Sequence, residues 1–342
     1  MSFTRPVRLV GCVLLTACGA GTTSSPGSGS LVAPDEVREI VSVLAADSLE
    51  GRRTGTPGSA RASRFLAERM ERYGLEPAGD SGYFQRVNYD VVPGPEGETL
   101  RLAGPGSADT ARQAVDYNLV GIIRGSDPTL RNETVVLGAH FDHVGVGRPV
   151  AGDSVYNGAD DDASGVATVL TAARVLAKDP PKRTVVVLLT SGEEYGVLGT
   201  QWYLERPGVP LETTVADLQV EMVGRPDTLV GAGKLWLTGF ERSTMGEELS
   251  GAGLAVVADP RPEFKFFERS DNIVFALRGI PAHTLSSFGM HGDYHQPSDE
   301  VERIDFEHLT LAADLVARAA RVVANGPRPT WKPGGRPTPA TP

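Results

Sequence analysis

Two histidines and a set of carboxylates are spaced so that together they could hold a metal. His140 and Asp142 stand two apart in GAHFDHVG (138–145), and Asp160, Asp161 and Asp162 are consecutive in NGADDDASG (157–165). Glu193 and Glu194 are adjacent in TSGEEYGVLGT (190–200), Glu221 follows an apolar run, and His295 follows Tyr294 in YHQPSDE (294–300). Imidazole and carboxylate together suit a borderline ion such as zinc, whereas calcium takes oxygen alone. Taken singly, each piece has a plainer reading. The aspartates suit a solvated loop or a helix N-cap, the paired glutamates a surface turn, and His-x-Asp a core histidine donating to its neighbour. His143, His283 and His291 lack a strand-end position, and His308 reads as a surface residue of the last helix.

Placement outweighs those plainer readings. Thr134–Ala139, Thr184–Thr190 and Val215–Val220 are predicted strands, and each runs directly into one of the candidate groups. Thr184–Thr190 is an almost unbroken β-branched and leucine run, as expected of a strand buried on both faces of a mainly parallel sheet. Phe84–Val91, Asn118–Ile123 and Ile280–Leu285 are further predicted strands. Helices are expected near Val37–Leu44, Ser59–Tyr73, Ser164–Ala177 and Phe306–Val323, from apolar spacing at i, i+3, i+4 and i+7. Alternating strands and helices imply a three-layer α/β/α fold with a mainly parallel mixed central sheet. In such folds ligands bind beyond the carboxyl ends of the strands, which is where the candidate groups fall.

Composition narrows the classes. The 342 residues carry 33 Lys+Arg against 43 Asp+Glu, a net charge of −10, so phosphate backbones are repelled and no nucleic-acid partner is expected. Only two cysteines, Cys12 and Cys18, occur, too few and too early for a disulfide scaffold. No Gly-x-Ser-x-Gly elbow follows a strand, which disfavours a serine hydrolase.

The motifs quoted above, with VEMVGR (220–225) and, upstream, SLEGRRTGTPGSARASRFLAERM and YNLVGIIRG, resemble the co-catalytic di-zinc exopeptidases of the bacterial leucyl aminopeptidase type. The resemblance covers about residues 35–325 and implies their phosphorylase/hydrolase-like fold and two zinc ions per chain. By it, His140 and Glu221 bind one ion, Glu194 and His295 the other, and Asp161, the middle aspartate, bridges them. It also implies Glu193 as general base, Asp142 as the acceptor orienting His140, and Tyr294 as donor to the developing oxyanion. The physics suits those roles: two neighbouring ions acidify a water and polarise a carbonyl, and an unligated carboxylate beside them moves the proton. Glu221 stands where many relatives have Asp, and Asn272 where relatives often carry His. The implied activity is hydrolysis of the N-terminal peptide bond of peptides, with a carboxypeptidase or a glutaminyl cyclase of the same fold as alternatives. A binding module that lost its ligands is disfavoured because every ligand is present. Arg225 and Arg269 are candidate carboxylate binders. Only about 30 residues separate Phe84 from Asn118, so no inserted protease-associated domain is expected.

The chain ends read as address and tail. Arg5 and Arg8 precede a short apolar run that ends in small residues, the pattern of a signal peptide. Leu15-Thr16-Ala17-Cys18 resembles the lipobox of bacterial lipoproteins, with lipid on Cys18. Residues 1–17 are then a removed signal, and 18–30 a Gly/Ser tether with a mean span of roughly 20 Å. Residues 31–326 are the zinc peptidase domain, and 327–342 a proline-rich tail that cannot build a core. The expected location is outside the cytoplasm, anchored to a membrane by lipid.

Overall fold

The computed structural model describes residues 1–2, 30–94, 97–104, 106–107 and 112–338. The signal, Cys18 and most of the tether lie outside the described residues. In chain order the elements are α1 (Pro34–Leu44), α2 (Pro57–Arg72), β1 (Glu76–Pro77), β2 (Phe84–Gly94), β3 (Gly97–Leu102), β4 (Arg112–Ile123), β5 (Thr134–His140) and the hairpin β6 (Gly145–Val150) and β7 (Asp153–Tyr156). They continue with α3 (Gly165–Lys178), β8 (Thr184–Thr190), α4 (Leu198–Glu205), β9 (Thr214–Val220), β10 (Leu235–Leu237) and α5 (Met245–Gly251). The last are β11 (Val256–Ala258), α6 (Asn272–Leu277), β12 (Ala282–Ser286) and α7 (Phe306–Asn325).

One twisted sheet runs β11-β10-β12-β9-β5-β8-β4-β2-β3, with β1 on β4. Its centre, β12-β9-β5-β8, is parallel, and β8-β4-β2-β3 forms an antiparallel wing. The sheet is thus mixed, as expected, with parallel pairing through its middle and again between β10 and β11 at one edge. Every residue of β5, β8 and β9 is buried, because helices cover both faces. On one face α1, α2, α3 and α7 pack through Ile40, Leu66, Val169 and Val316. On the other α4 and α6 pack through Tyr203 and Phe275, which touch at 6.3 Å between ring centroids. That makes three layers.

In the wing β2 lies between β3 and β4 and pairs antiparallel with both.

Two expectations need correction. The proline-rich tail is not free as far as residue 338: Ser243 and Trp331 form a β-bridge, and the Trp331 indole N–H donates to the Gly279 carbonyl at 2.9 Å. Its ring packs on Phe267 and His283, so one aromatic side chain supplies the burial that the prolines lack. His308 is not a surface residue either but 1% exposed. Its Nδ1 accepts from the Gly233 N–H at 3.0 Å, and its Nε2 meets Ser287 Oγ at 3.0 Å. Among the described residues no helix is long and apolar enough to cross a membrane.

Candidate metal centre

The parallel strands deliver the candidate side chains to one edge of the sheet. His140 is the last residue of β5, Glu193 and Glu194 follow β8, and Glu221 follows β9. In-register pairing of β5 with β8 sets His140 beside Thr190, which fixes the spacing of the two loops. Buried Arg52 then staples the layers from beneath. Its guanidinium donates to the carbonyls of Phe141, Leu44, Asn157 and Gly158 at 2.6–3.0 Å, tying the loop after β5 to the aspartate loop.

Within the aspartate triplet the three side chains diverge. Asp160 accepts from the Gly224 N–H at 2.7 Å and faces His291 Nε2 at 2.9 Å. Asp162 accepts from the N–H groups of Gly165 and Met222, both at 3.0 Å. These two serve the scaffold. Asp161 instead faces both His140 and His295: Oδ1 lies 3.3 Å from His140 Nε2, and Oδ2 lies 3.1 Å from His295 Nε2. Asp299 holds the loop in place by accepting from the backbone N–H groups of Asp160 and Asp161.

Around Oδ2 a compact cluster forms. Glu194 Oε2 is 3.0 Å from His295 Nε2, and Glu194 Oε1 is 2.8 Å from His143 Nδ1. One donor atom each from His143, Asp161, Glu194 and His295 lies within 4.8 Å of the others. His143 was set aside in the sequence for want of a strand-end position. It arrives because the loop after β5 turns back over the aspartates, where Gly158 leaves space: a Cβ there would stand 2.6 Å from the His143 ring. Its nearness to His140 in GAHFDHVG was the available signal.

Glu193 points elsewhere. Its backbone N–H donates to Asp142 Oδ1 at 3.2 Å, while its side chain lines a cavity of about 330 Å³ with Asp161 and Glu221. Asp142 meets His140 Nδ1 through its backbone carbonyl at 3.2 Å, with its carboxylate at 3.8 Å. That carboxylate also accepts from Thr54 Oγ1 at 2.8 Å. Tyr294 stacks on the His295 ring at 3.9 Å and lines the same cavity. Asn272 is buried away from the cluster, between the Phe267 carbonyl and Thr284 Oγ1. Arg225 is tied to Asp293 and Asp299, whereas Arg269 lies on the cavity rim over Phe266.

Charge explains the titration of the cluster. Burial alone lowers His295, but the carboxylates of Asp161 and Glu194 close to its Nε2 reverse this and push it up to about 10. Burial and Asp161 raise Glu194, yet His143 and His295 carry it down to about 2. Burial pushes Asp142 and Glu221 up to about 7, against the pull of His140. Burial also holds Glu193 well above the usual carboxylate range, with Glu221 and Glu194 adding to the shift against the same pull. Such a concentration of carboxylates demands positive charge. A cation fits the donors present. They are imidazole nitrogens and carboxylate oxygens, and the buried Nε2 atoms of His140 and His295 make no hydrogen bond to a described residue.

Comparison with known proteins gives the family and the fold. The description of peptidase family M28 matches residues 118–320. A probable leucine aminopeptidase 2 of Aspergillus fumigatus is 26% identical over 234 residues, 61% of this chain and 44% of that one. A leucine aminopeptidase 1 of Neurospora crassa is 27% identical over 241 residues, 66% of this chain and 60% of that one. The chain spans about half the length of the curated relatives it matches. Among solved structures, the zinc aminopeptidase BSAP of Bacillus subtilis superposes with a TM-score of 0.63 at 15% identity, covering 87% of this chain and 97% of that one. A glutaminyl cyclase of Porphyromonas gingivalis gives 0.59 at 18% identity, covering 85% and 98%. These superpositions show the shared α/β fold. The matched segment holds every candidate ligand from His140 to His295, and by that match the chain belongs to peptidase family M28.

Proposed function

We propose that the chain is a metal-dependent aminopeptidase that hydrolyses the N-terminal peptide bond of peptides, with two zinc-type ions. His140 and Glu221 would hold one ion and Glu194 and His295 the other, with Asp161 between them and His143 hydrogen-bonded to Glu194. The observation that carries this reading is the division of Asp161, one oxygen toward His140 and the other toward His295. When bound, two such ions supply Lewis acidity toward the scissile carbonyl and acidify a water.

The chain's own groups do the rest. Glu193, free of ligand contacts, takes a proton from the attacking water on its carboxylate and returns it to the departing amine. Tyr294, at the cavity wall, donates its O–H toward the oxygen on which negative charge develops. Asp142 fixes the His140 ring through Nδ1. Met222, Trp236, Ile273, Phe266 and Phe288 line the cavity and suit an apolar N-terminal side chain. The leucine aminopeptidases among the relatives are consistent with that choice.

Hydrolysis of leucine p-nitroanilide tests the reading, together with elemental analysis of the active protein. Activity on free aminoacyl substrates, none on N-blocked ones, and two ions per chain are expected. One tightly bound ion with cyclisation of N-terminal glutamine is the cyclase result. Activity only toward peptides with a free C-terminus would transfer the assignment to a carboxypeptidase, with Arg269 as the carboxylate binder. We also propose an exported lipoprotein anchored through Cys18, so that Cys18→Ser abolishes lipid labelling and membrane retention.

A further inference from the structure

Glu194 and His295 line two cavities at once. One is the aromatic pocket described above. The other, about 960 Å³, opens on the opposite side of the cluster, between the β2–β3 hairpin, the β6–β7 hairpin and Tyr195. Its charged lining consists of Arg53, Arg148, Glu98, Glu194 and His295. Arg53 and Arg148 pair with no carboxylate among the described residues, whereas Glu98 is neutralised by Arg112.

Arg53 is fixed in place. Its Nε donates to Tyr195 Oη at 2.6 Å, its Nη2 reaches toward the Glu98 carbonyl at 3.5 Å, and Nη1 has no partner among the described residues. Tyr195 directly follows Glu194, so the guanidinium is held next to the cluster. Behind it Gly145, at φ +90°, lets β6 close against the arginine, for a Cβ there would stand 2.5 Å from Arg53 Cβ. Arg148 projects from the far side of the same cavity on exposed β6.

We infer that this second cavity receives the leaving peptide and that Arg53 and Arg148 select for a carboxylate in it. This rests on the aminopeptidase reading, because only a substrate held with its N-terminal side chain in the aromatic pocket passes its remainder across Glu194 and His295 into the second cavity. The carboxylate is either the C-terminus of a short peptide or an acidic side chain after the scissile bond. A guanidinium fork fits both.

The test compares kcat/KM for pairs of substrates. Leu-Gly-Gly as free acid against its C-terminal amide reads the terminal carboxylate; Leu-Glu-Gly amide against Leu-Gln-Gly amide reads the side chain. At least one ratio should exceed unity by roughly two- to fivefold, the range for a solvent-accessible ion pair. It should fall as salt rises toward about 0.5 M, through screening. Arg53→Gln and Arg148→Gln should each move it toward unity, and Arg53→Lys should retain part of it. Both ratios at unity in the wild type, or a preference unchanged by salt and by both substitutions, overturns the inference. Leucine p-nitroanilide separates the two levels: its hydrolysis with unit ratios sinks the carboxylate selection alone, and no hydrolysis of any of these substrates sinks the aminopeptidase reading with it. Should Arg53→Gln fail to fold, the wild-type salt dependence and Arg148→Gln still decide.

Discussion

The parallel centre of the sheet and its antiparallel wing border the same cluster but contribute differently to it. The centre sends His140, Glu193, Glu194 and Glu221 from strand ends whose strands are buried along their whole length. The wing supplies no metal-capable side chain to the cluster; its hairpin wall and Arg53, from the loop before α2, border the second cavity. On the proposed function, the chemistry would be carried by the buried part and the surroundings of the leaving group by the more exposed part. Groups on packed strand ends hold their geometry at little cost, whereas an exposed wing tolerates change of charge.

The largest effects should come from the centre. Asp161→Ala removes the one carboxylate that faces both His140 and His295, so activity and most bound metal should vanish together, as read by assay and elemental analysis. Retention of both ions would break the comparison, since the division of Asp161 would then carry nothing. Next comes Glu193→Gln. General acid–base catalysis is worth about 10²–10⁴-fold, so kcat should drop by that much while metal content and KM stay near wild type. Glu194→Gln should instead lose metal, because its oxygens lie among the cluster nitrogens. If the two variants behave alike, the roles of the pair are wrongly divided.

Stability should divide the same way. Leu137 on β5 is fully buried, and Leu137→Ala should cost about 2–5 kcal/mol by lost burial plus the cavity left behind. Leu100 on β3 is half-buried against Tyr89 and Trp202. Leu100→Ala should cost about 1 kcal/mol, since less area is lost and no closed cavity forms. Denaturant titration of both variants checks the difference, and equal losses would mean that the wing is as firmly packed as the centre.

How legible each region was in the sequence follows from the same contrast. Thr184–Thr190 could be read because a strand covered on both faces must be apolar throughout, and the ligands followed because they sit where such strands end. β10, β11 and α6 were not read. Each has only three to six residues, too few for a period to show. Arg52 and Asp299 were missed for another reason. Both are charged residues that burial turns into scaffold, Arg52 by four carbonyls and Asp299 by two backbone N–H groups and Arg225; nothing in their type separates them from solvated neighbours such as Arg61. Trp331 was a visible signal within the tail, since an indole seldom stays in water when a core is near. His143 shows the limit of strand-end reasoning, because a loop can fold a residue back into a cluster that its position in the chain does not predict.

The smallest expected effect is also the one that most sharpens the contrast. Arg112 on β4 pairs with Glu98 on β3, and both side chains are 63% exposed. An exposed ion pair contributes between nothing and about 1 kcal/mol, so Arg112→Gln should lower stability by no more than that, and salt should erase the loss. Its effect on selection should nevertheless be measurable. Glu98 lines the second cavity, and without Arg112 its charge is no longer offset, so the field that Arg53 and Arg148 present to an incoming carboxylate weakens. The free-acid-over-amide ratio, or the Glu-over-Gln ratio, should fall by about twofold at low salt, with leucine p-nitroanilide as the reference because it places no charge there. A change in that ratio with stability intact would separate specificity in the wing from chemistry in the centre. An unchanged ratio would mean that Glu98 and the two arginines act in separate places, and that the cavity does not integrate their charges.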